Sequence, residues 1–215
     1  MSITSLSFII FGMGVIIAYY LVPGRFQWCV LLIASAIFYL MAGVKSAIYV
    51  LITATSVYLA TNRMQIITDR QGIYLKENKS TLTKEEKKAY KKQNKTKRKR
   101  IMVCTLLLNI GILCVFKYFH FALEQINAII SAFGGTAING TFKLIVPLGI
   151  SFYTFQSIGY LVDVYWENCT AEKNYFKVLL FTSFFPQITQ GPISTYEQLN
   201  GELFQIHSFT YKNYS

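Results

Sequence analysis

Charge is scarce in this 215-residue chain: Asp, Glu, Lys and Arg make up 14% of it, against about 25% in an average soluble domain. A soluble globular fold is therefore a poor match. Histidine is rarer still, with only His120 and His207. The four cysteines, Cys29, Cys104, Cys114 and Cys169, share no metal-ligand spacing, so neither a metal site nor a disulfide framework is expected. Three of them lie in apolar runs, where cysteine acts as a small hydrophobe. No Lys or Arg precedes Arg25. The N-terminus therefore lacks the basic n-region of a cleavable signal peptide.

Apolar residues fill the space that charge leaves. They make up 53% of the chain, aromatics 16%, and mean hydropathy is +0.38. Stretches 6–22, 26–44 and 47–61 carry no charge, and neither does 101–116. A membrane-spanning helix needs about 20 mostly apolar residues to cross a hydrocarbon layer about 30 Å thick. The expected fold class is all-α, a multi-pass transmembrane helical bundle with about six membrane segments. It divides into three N-terminal transmembrane helices (1–61), a basic cytoplasmic loop (62–100) and further membrane helices (101–215).

Fourteen of the 21 basic residues fall between Arg63 and Arg100, with four acids, Asp69, Glu77, Glu85 and Glu86, so this stretch carries +10 of the net +11. Basic loops stay on the cytoplasmic side during insertion. The expected location is the inner or plasma membrane, with 62–100 inside and Met1 outside. Within the loop, TLTKEEKKAYKKQNKTKRKR reads as a polar helix starting near Thr83, its first turn holding Glu85 and Glu86 against the helix dipole. Its basic end meets the membrane at Ile101, where it can hold anionic headgroups. The partner expected here is the lipid bilayer, with no nucleic acid.

After a fourth span the chain is expected outside. Ile126, Ile129, Ile130 and Phe133 recur at helical spacing opposite Glu124, Gln125, Asn127 and Ser131, the pattern of an amphipathic helix lying in the interface. The Gly-rich FGGTAINGT that follows reads as a loop.

From Leu144 the character changes. LIVPLGISFYTFQSIGYLVDVYWE is long enough to cross yet carries Pro147, Gln156 and Asp163. Phe152, Gln156, Gly159 and Asp163, spaced by four, three and four, fall on one helix face. Polar groups inside a bilayer are costly unless they face protein or water, so that face is expected to look into the bundle. The next segment, YFKVLLFTSFFPQITQGPIS, carries helix breakers Pro186, Gly191 and Pro192 beside Gln187 and Gln190. Interrupted backbone at membrane depth is tolerated where it lines a cavity or is covered by protein. The expected tunnel-lining residues are Gln156, Asp163, Gln187 and Gln190, with helix breaks at Pro147, Pro186, Gly191 and Pro192.

The blocks PLGISFYTFQSIGYLVDVY (147–165) and FFPQITQGPIS (184–194) resemble the signature blocks of the membrane-bound O-acyltransferases. The similarity is greatest to the bacterial branch that includes alginate O-acetyltransferase and the D-alanyl transfer protein of teichoic acid synthesis. The basic loop before Lys117-Tyr118-Phe119 and the tail HSFTYKNYS fit the same branch. The resemblance implies a helical bundle enclosing a tunnel, an acyl thioester or acyl carrier as donor on the cytoplasmic side, and a hydroxyl acceptor on an exported or cell-surface polysaccharide. It implies no bound cofactor. It also implies a histidine acting as general base, since a neutral imidazole can take the hydroxyl proton, in an apolar helix of the C-terminal half.

Neither histidine here fits that place. His120 follows Lys117-Tyr118-Phe119 at a span end, and His207 falls in a polar stretch. No catalytic residue is therefore assigned. Family members are roughly twice as long, so the chain is expected to be the N-terminal half of such an enzyme, inactive alone. It would come from a truncated or split gene or pair with a separately encoded C-terminal half or another partner in polysaccharide acetylation. Two other classes stay open: a transport component for an acyl group, which also uses broken polar helices, and a non-catalytic membrane scaffold binding through the basic loop.

Overall fold

The computed structural model describes residues 6–132, 146–190 and 194–205, without the side chains of residues 120 and 188–190. Among them every regular element is helical: α1 (Leu6–Leu21), α2 (Gln27–Ala42), α3 (Val44–Glu77), α4 (Lys84–Ala132), α5 (Ile150–Trp166), α6 (Tyr175–Ser183), α7 (Phe185–Gln190) and α8 (Tyr196–Leu203). Three stretches are long and apolar enough to cross a membrane, Gly24–Ala42, Val44–Glu77 and Lys84–Phe119. With these helices this is an all-α membrane protein, as the apolar runs require.

α2 and α3 are separated by Gly43 alone, at φ 126°. Only glycine enters that region without steric cost, and the reversal into the next helix depends on it. The basic stretch 62–100 is helical at both ends. α3 continues past the last apolar residues to Glu77, and α4 starts at Lys84. Thr83 caps α4: its Oγ1 accepts from the Glu86 backbone N–H at 3.3 Å, while the Glu86 carboxylate accepts from the Thr83 N–H at 2.9 Å. These hydrogen bonds, from the backbone N–H and then the hydroxyl of Thr83, hold the Glu86 carboxyl below its ordinary range.

α4 then runs unbroken for 49 residues. This corrects the expectation of a span followed by a separate interfacial helix over 121–133. No Gly or Pro occurs from Ile112 to Ala132, so nothing stops helical propagation between them. Phe133 and the Gly-rich loop lie outside the described residues.

The expectation of two interrupted spans is half met. α5 is continuous from Ile150 to Trp166; Pro147 precedes it, its carbonyl accepting from Ile150 N–H at 3.3 Å. The second segment does break. α6 is 9 residues long, about 13 Å at 1.5 Å per residue, too short to cross. Phe184 turns extended (ψ 101°), which ends α6 two residues before Pro186. Pro186 occupies the first turn of α7, where its missing N–H leaves no helical hydrogen bond unmade.

The chain then comes back. Tyr196, opening α8, packs its ring 4.4 Å from that of Tyr160 and 5.1 Å from that of Phe181. Its hydroxyl donates to Glu172, just before α6, at 3.0 Å. Lys177 Nζ sits 4.6 Å over the Phe204 ring. Residues 175–205 thus enter and return on one side of the bundle, a re-entrant element. That same side carries the basic helices, because Arg98 docks on the C-terminal end of α5.

Candidate functional site

The polar residues of α5 and α7 meet where α6 breaks. Gln156, almost fully buried, donates from Nε2 to the Phe181 carbonyl at 3.2 Å and to Gln187 Oε1 at 2.9 Å. Gln187 passes the chain on, its Nε2 donating to Ser194 Oγ at 2.8 Å. One residue further along each helix, the Ser157 and Thr182 hydroxyls lie 3.3 Å apart, and Ser35 Oγ of α2 accepts from the Phe185 N–H at 3.4 Å. A break in a helix frees backbone groups, and in lipid each unsatisfied one costs several kcal/mol. Here side chains from α2 and α5 satisfy them.

Two of the four residues expected together are therefore together. Asp163 is not with them. It lies two turns along α5 at the helix end, half-exposed, where its carboxylate accepts from Asn168 Nδ2 at 3.3 Å. The buried face of α5 runs through Ile150, Tyr153, Thr154, Gln156, Ser157, Tyr160, Leu161 and Val164. Gly159 is exposed, so Gln156 marks the edge of the buried face rather than its centre. The larger rings of Tyr153 and Tyr160 decide which face turns inward. The Gln190 side chain, Gly191, Pro192 and His207 lie outside the described residues, as does the side chain of His120.

Two polar anchors carried less sequence signal. Asn109, the one amide side chain in the apolar run of α4, is buried and donates from Nδ2 to Ser56 Oγ of α3 at 3.0 Å. The connection between α5 and α6 is held by α3: Tyr58 donates to the Lys173 carbonyl at 2.9 Å, Asn62 to the Glu172 carbonyl at 3.2 Å, and Gln65 Oε1 accepts from the Ala171 N–H at 3.2 Å. Spacings of four and three put all three on one face of α3, a stripe visible in the sequence once the connection is known to lie beside it.

Beneath that connection, Tyr160 Oη accepts from the Glu172 N–H at 2.8 Å. Burial, with the Glu172 carboxylate beside it, pushes the Tyr196 phenol well above its ordinary range. Burial likewise raises the Cys169 thiol to about 11, with Asp163 and Glu197 adding to the shift.

Toward the other end of the bundle, Tyr39 of α2 and Tyr153 of α5 pack 6.4 Å apart, centroid to centroid. Both hydroxyls are buried with no partner among the described residues. Tyr39 and Ser183 line an apolar cavity of about 200 Å³ with Leu32, Ala36, Val50 and Leu179. No group of His, Cys, Asp and Glu among the described residues has metal-binding geometry. The arrangement is a hydrogen-bonded polar chain at a re-entrant break, close to an apolar recess.

No protein-family model matches the chain, and no solved structure does. Curated proteins do. A probable alginate O-acetylase of Pseudomonas aeruginosa is 34% identical over 101 residues, covering 47% of this chain and 19% of the relative. The Pseudomonas putida protein of the same description is 38% identical over 98 residues, 44% of this chain and 20% of the relative. A peptidoglycan O-acetyltransferase of Helicobacter pylori is 29% identical over 137 residues, 53% of this chain and 25% of the relative. The matched region spans about a fifth to a quarter of these relatives' lengths. Over about half its length, this chain is a homologue of bacterial O-acetylases of the membrane-bound O-acyltransferase type.

Proposed function

We propose that this chain forms part of a membrane O-acetyltransferase that acylates hydroxyl groups of an exported or cell-surface polysaccharide. The observation that carries the reading is the homology to alginate and peptidoglycan O-acetylases. The re-entrant break supports it, with Gln156, Gln187 and Ser194 joined beneath protein cover, since a group-transfer chamber within the membrane needs polar atoms held in place. In the reaction an acetyl thioester bond breaks and an ester forms to the sugar oxygen. The hydroxyl proton leaves to a base, and the thiol carrier is released. Gln156 and Gln187 shape the chamber; no described residue is assigned as the base. The basic ends of α3 and α4 lie in the cytoplasm, on the donor's side, and Met1 lies outside. The relatives that carry this activity extend well beyond the matched region, which is about a fifth to a quarter of their length.

The test uses a bacterium deleted for its own exopolysaccharide O-acetylase. The chain is expressed alone and joined in frame to the remaining part of the P. aeruginosa relative, and ester-bound acetate on the polymer is measured. Acetate restored by the joined protein and absent with the chain alone supports the reading. A joined protein that reaches the membrane intact and restores none sinks it.

A further inference from the structure

Beside the start of the α4 membrane stretch lies a cleft of about 370 Å³ lined by Gln71 of α3, Lys91, Lys95 and Arg98 of α4, and Tyr165, Trp166 and Glu167 at the end of α5. Lys91, Lys95 and Arg98 are spaced by four and three, so one face of α4 supplies all three cations. Glu167 is the single carboxylate in the lining, which leaves the cleft at +2.

The cations differ in what they already hold. Arg98 is 5% exposed; its guanidinium pairs with Glu167, donates to the Tyr165 carbonyl, and sits 5.6 Å from the Tyr165 ring centroid. Its Nε is buried and has no partner among the described residues. Lys91 and Lys95 are exposed and pair with no carboxylate among those residues. The arrangement is a fixed wall with two unneutralised ammonium groups above it.

Its location narrows the ligand. The charge-free run of α4 begins at Ile101, three residues past Arg98. Trp166, on the cleft's rim, is 66% exposed, and exposed tryptophan beside an apolar run marks the headgroup level of a bilayer. We infer that this cleft binds the phosphodiester headgroup of an anionic phospholipid, with Lys91 and Lys95 on the phosphate, Arg98 behind it and Trp166 against the glycerol and upper acyl region. Juxtamembrane Lys and Arg attract anionic lipid generally; the inference is a defined site, so two particular lysines matter and their neighbours do not.

The full chain, purified in neutral detergent, is titrated with phosphatidylglycerol or phosphatidylcholine and lipid retention is read by native mass spectrometry. Phosphatidylglycerol is expected to stay bound and phosphatidylcholine not. Lys91→Gln with Lys95→Gln lowers retention about tenfold or more, while Lys92→Gln with Lys99→Gln, which removes equal charge from α4 outside the cleft, leaves it unchanged. Equal losses in both double variants mean diffuse attraction and overturn the site. Retention of glycerol phosphate or inorganic phosphate in place of lipid also overturns it, in favour of a soluble anion. A readout independent of the lysine variants is Trp28→Phe, which leaves Trp166 as the single tryptophan. Phosphatidylglycerol shifts its fluorescence and phosphatidylcholine does not; identical responses to the two lipids count against the site.

Discussion

The two ends of the bundle solve the same problem differently. Toward the basic helices, thirteen buried apolar residues form one cluster, including Val57, Met64, Leu161, Phe181 and Tyr196. Its buried tyrosines are satisfied, Tyr160 by the Glu172 N–H and Tyr196 by the Glu172 carboxylate. Toward the opposite end the corresponding cluster has six buried members, Tyr39, Val50, Leu113, Phe116, Ile150 and Tyr153, and neither of its tyrosine hydroxyls has a partner among the described residues. The re-entrant element accounts for the difference. Its return packs α8 onto the basic side and brings Tyr196 to Glu172 of the α5–α6 connection, while the far side receives only the tip of the turn. The contrast teaches that one end is closed by packing and hydrogen bonding, and the other keeps two hydroxyls without partners among the described residues.

Truncation of the large side chains should split the two ends most widely. Phe181→Ala is expected to lower unfolding free energy in detergent by about 3–5 kcal/mol, the range for deleting a buried Phe. Phe116→Ala, in the smaller cluster, is expected to cost clearly less by the same denaturation measurement. Equal losses would remove the distinction.

The next effect concerns the joint between α5 and the basic helix. Glu167 leaves α5 in the left-handed region (φ 63°), which costs a non-glycine residue about 1–2 kcal/mol, and Arg98 holds it there. Arg98→Gln should cost about 1.5–3 kcal/mol, the value of hydrogen bonds to a charged group. Glu167→Gln should cost about 0–1 kcal/mol, because that carboxylate is largely exposed. Thermal unfolding of the two variants separates the contributions.

Smaller still is the tyrosine comparison. Tyr160→Phe leaves the Glu172 N–H without its acceptor and is expected to destabilise by about 1 kcal/mol. Tyr39→Phe and Tyr153→Phe remove buried hydroxyls that bond nothing among the described residues, so they should be neutral or slightly stabilising. A loss at Tyr39 as large as at Tyr160 would mean that its hydroxyl has a partner after all.

The smallest effect is a pH dependence at the closed end. The Cys169 thiol, raised by burial to about 11, holds its proton in the folded state over a range where the unfolded thiol, near pKa 8.5, has lost it. The native state then binds more protons than the unfolded one, so its stability falls as pH rises from about 8.5 toward 11. Cys169→Ser should flatten that slope in a series of unfolding curves. An unchanged slope would place the cause elsewhere.

The sequence made the helical class legible because apolar runs of spanning length have few other uses, and Thr83 with Glu86 marked a helix start correctly. Gln156 and Gln187 were legible as partners-to-be because glutamine in such runs demands one. The long continuity of α4 was not, since polarity changes along it without any residue that stops a helix. Nor was the position of Asp163: helical spacing set it in line with Gln156, but bulk at Tyr153, Tyr160 and Leu161 rotated the buried face away. The 175–194 stretch was legible as interrupted, from Pro186, but its return beside Tyr160 was not, because hydropathy reports composition and not direction.

That last point changes the parity of the chain. A segment that crosses switches everything after it to the opposite compartment; one that dips and comes back leaves the count as it was. Tyr196 beside Tyr160 and Phe204 beside Lys177 put both ends of the 175–205 stretch on one side of the bundle, the arrangement an even step requires. Reporter fusions or glycosylation tags placed at residues 170 and 205 should therefore read the same compartment, although a tally of hydrophobic segments assigns them to opposite ones.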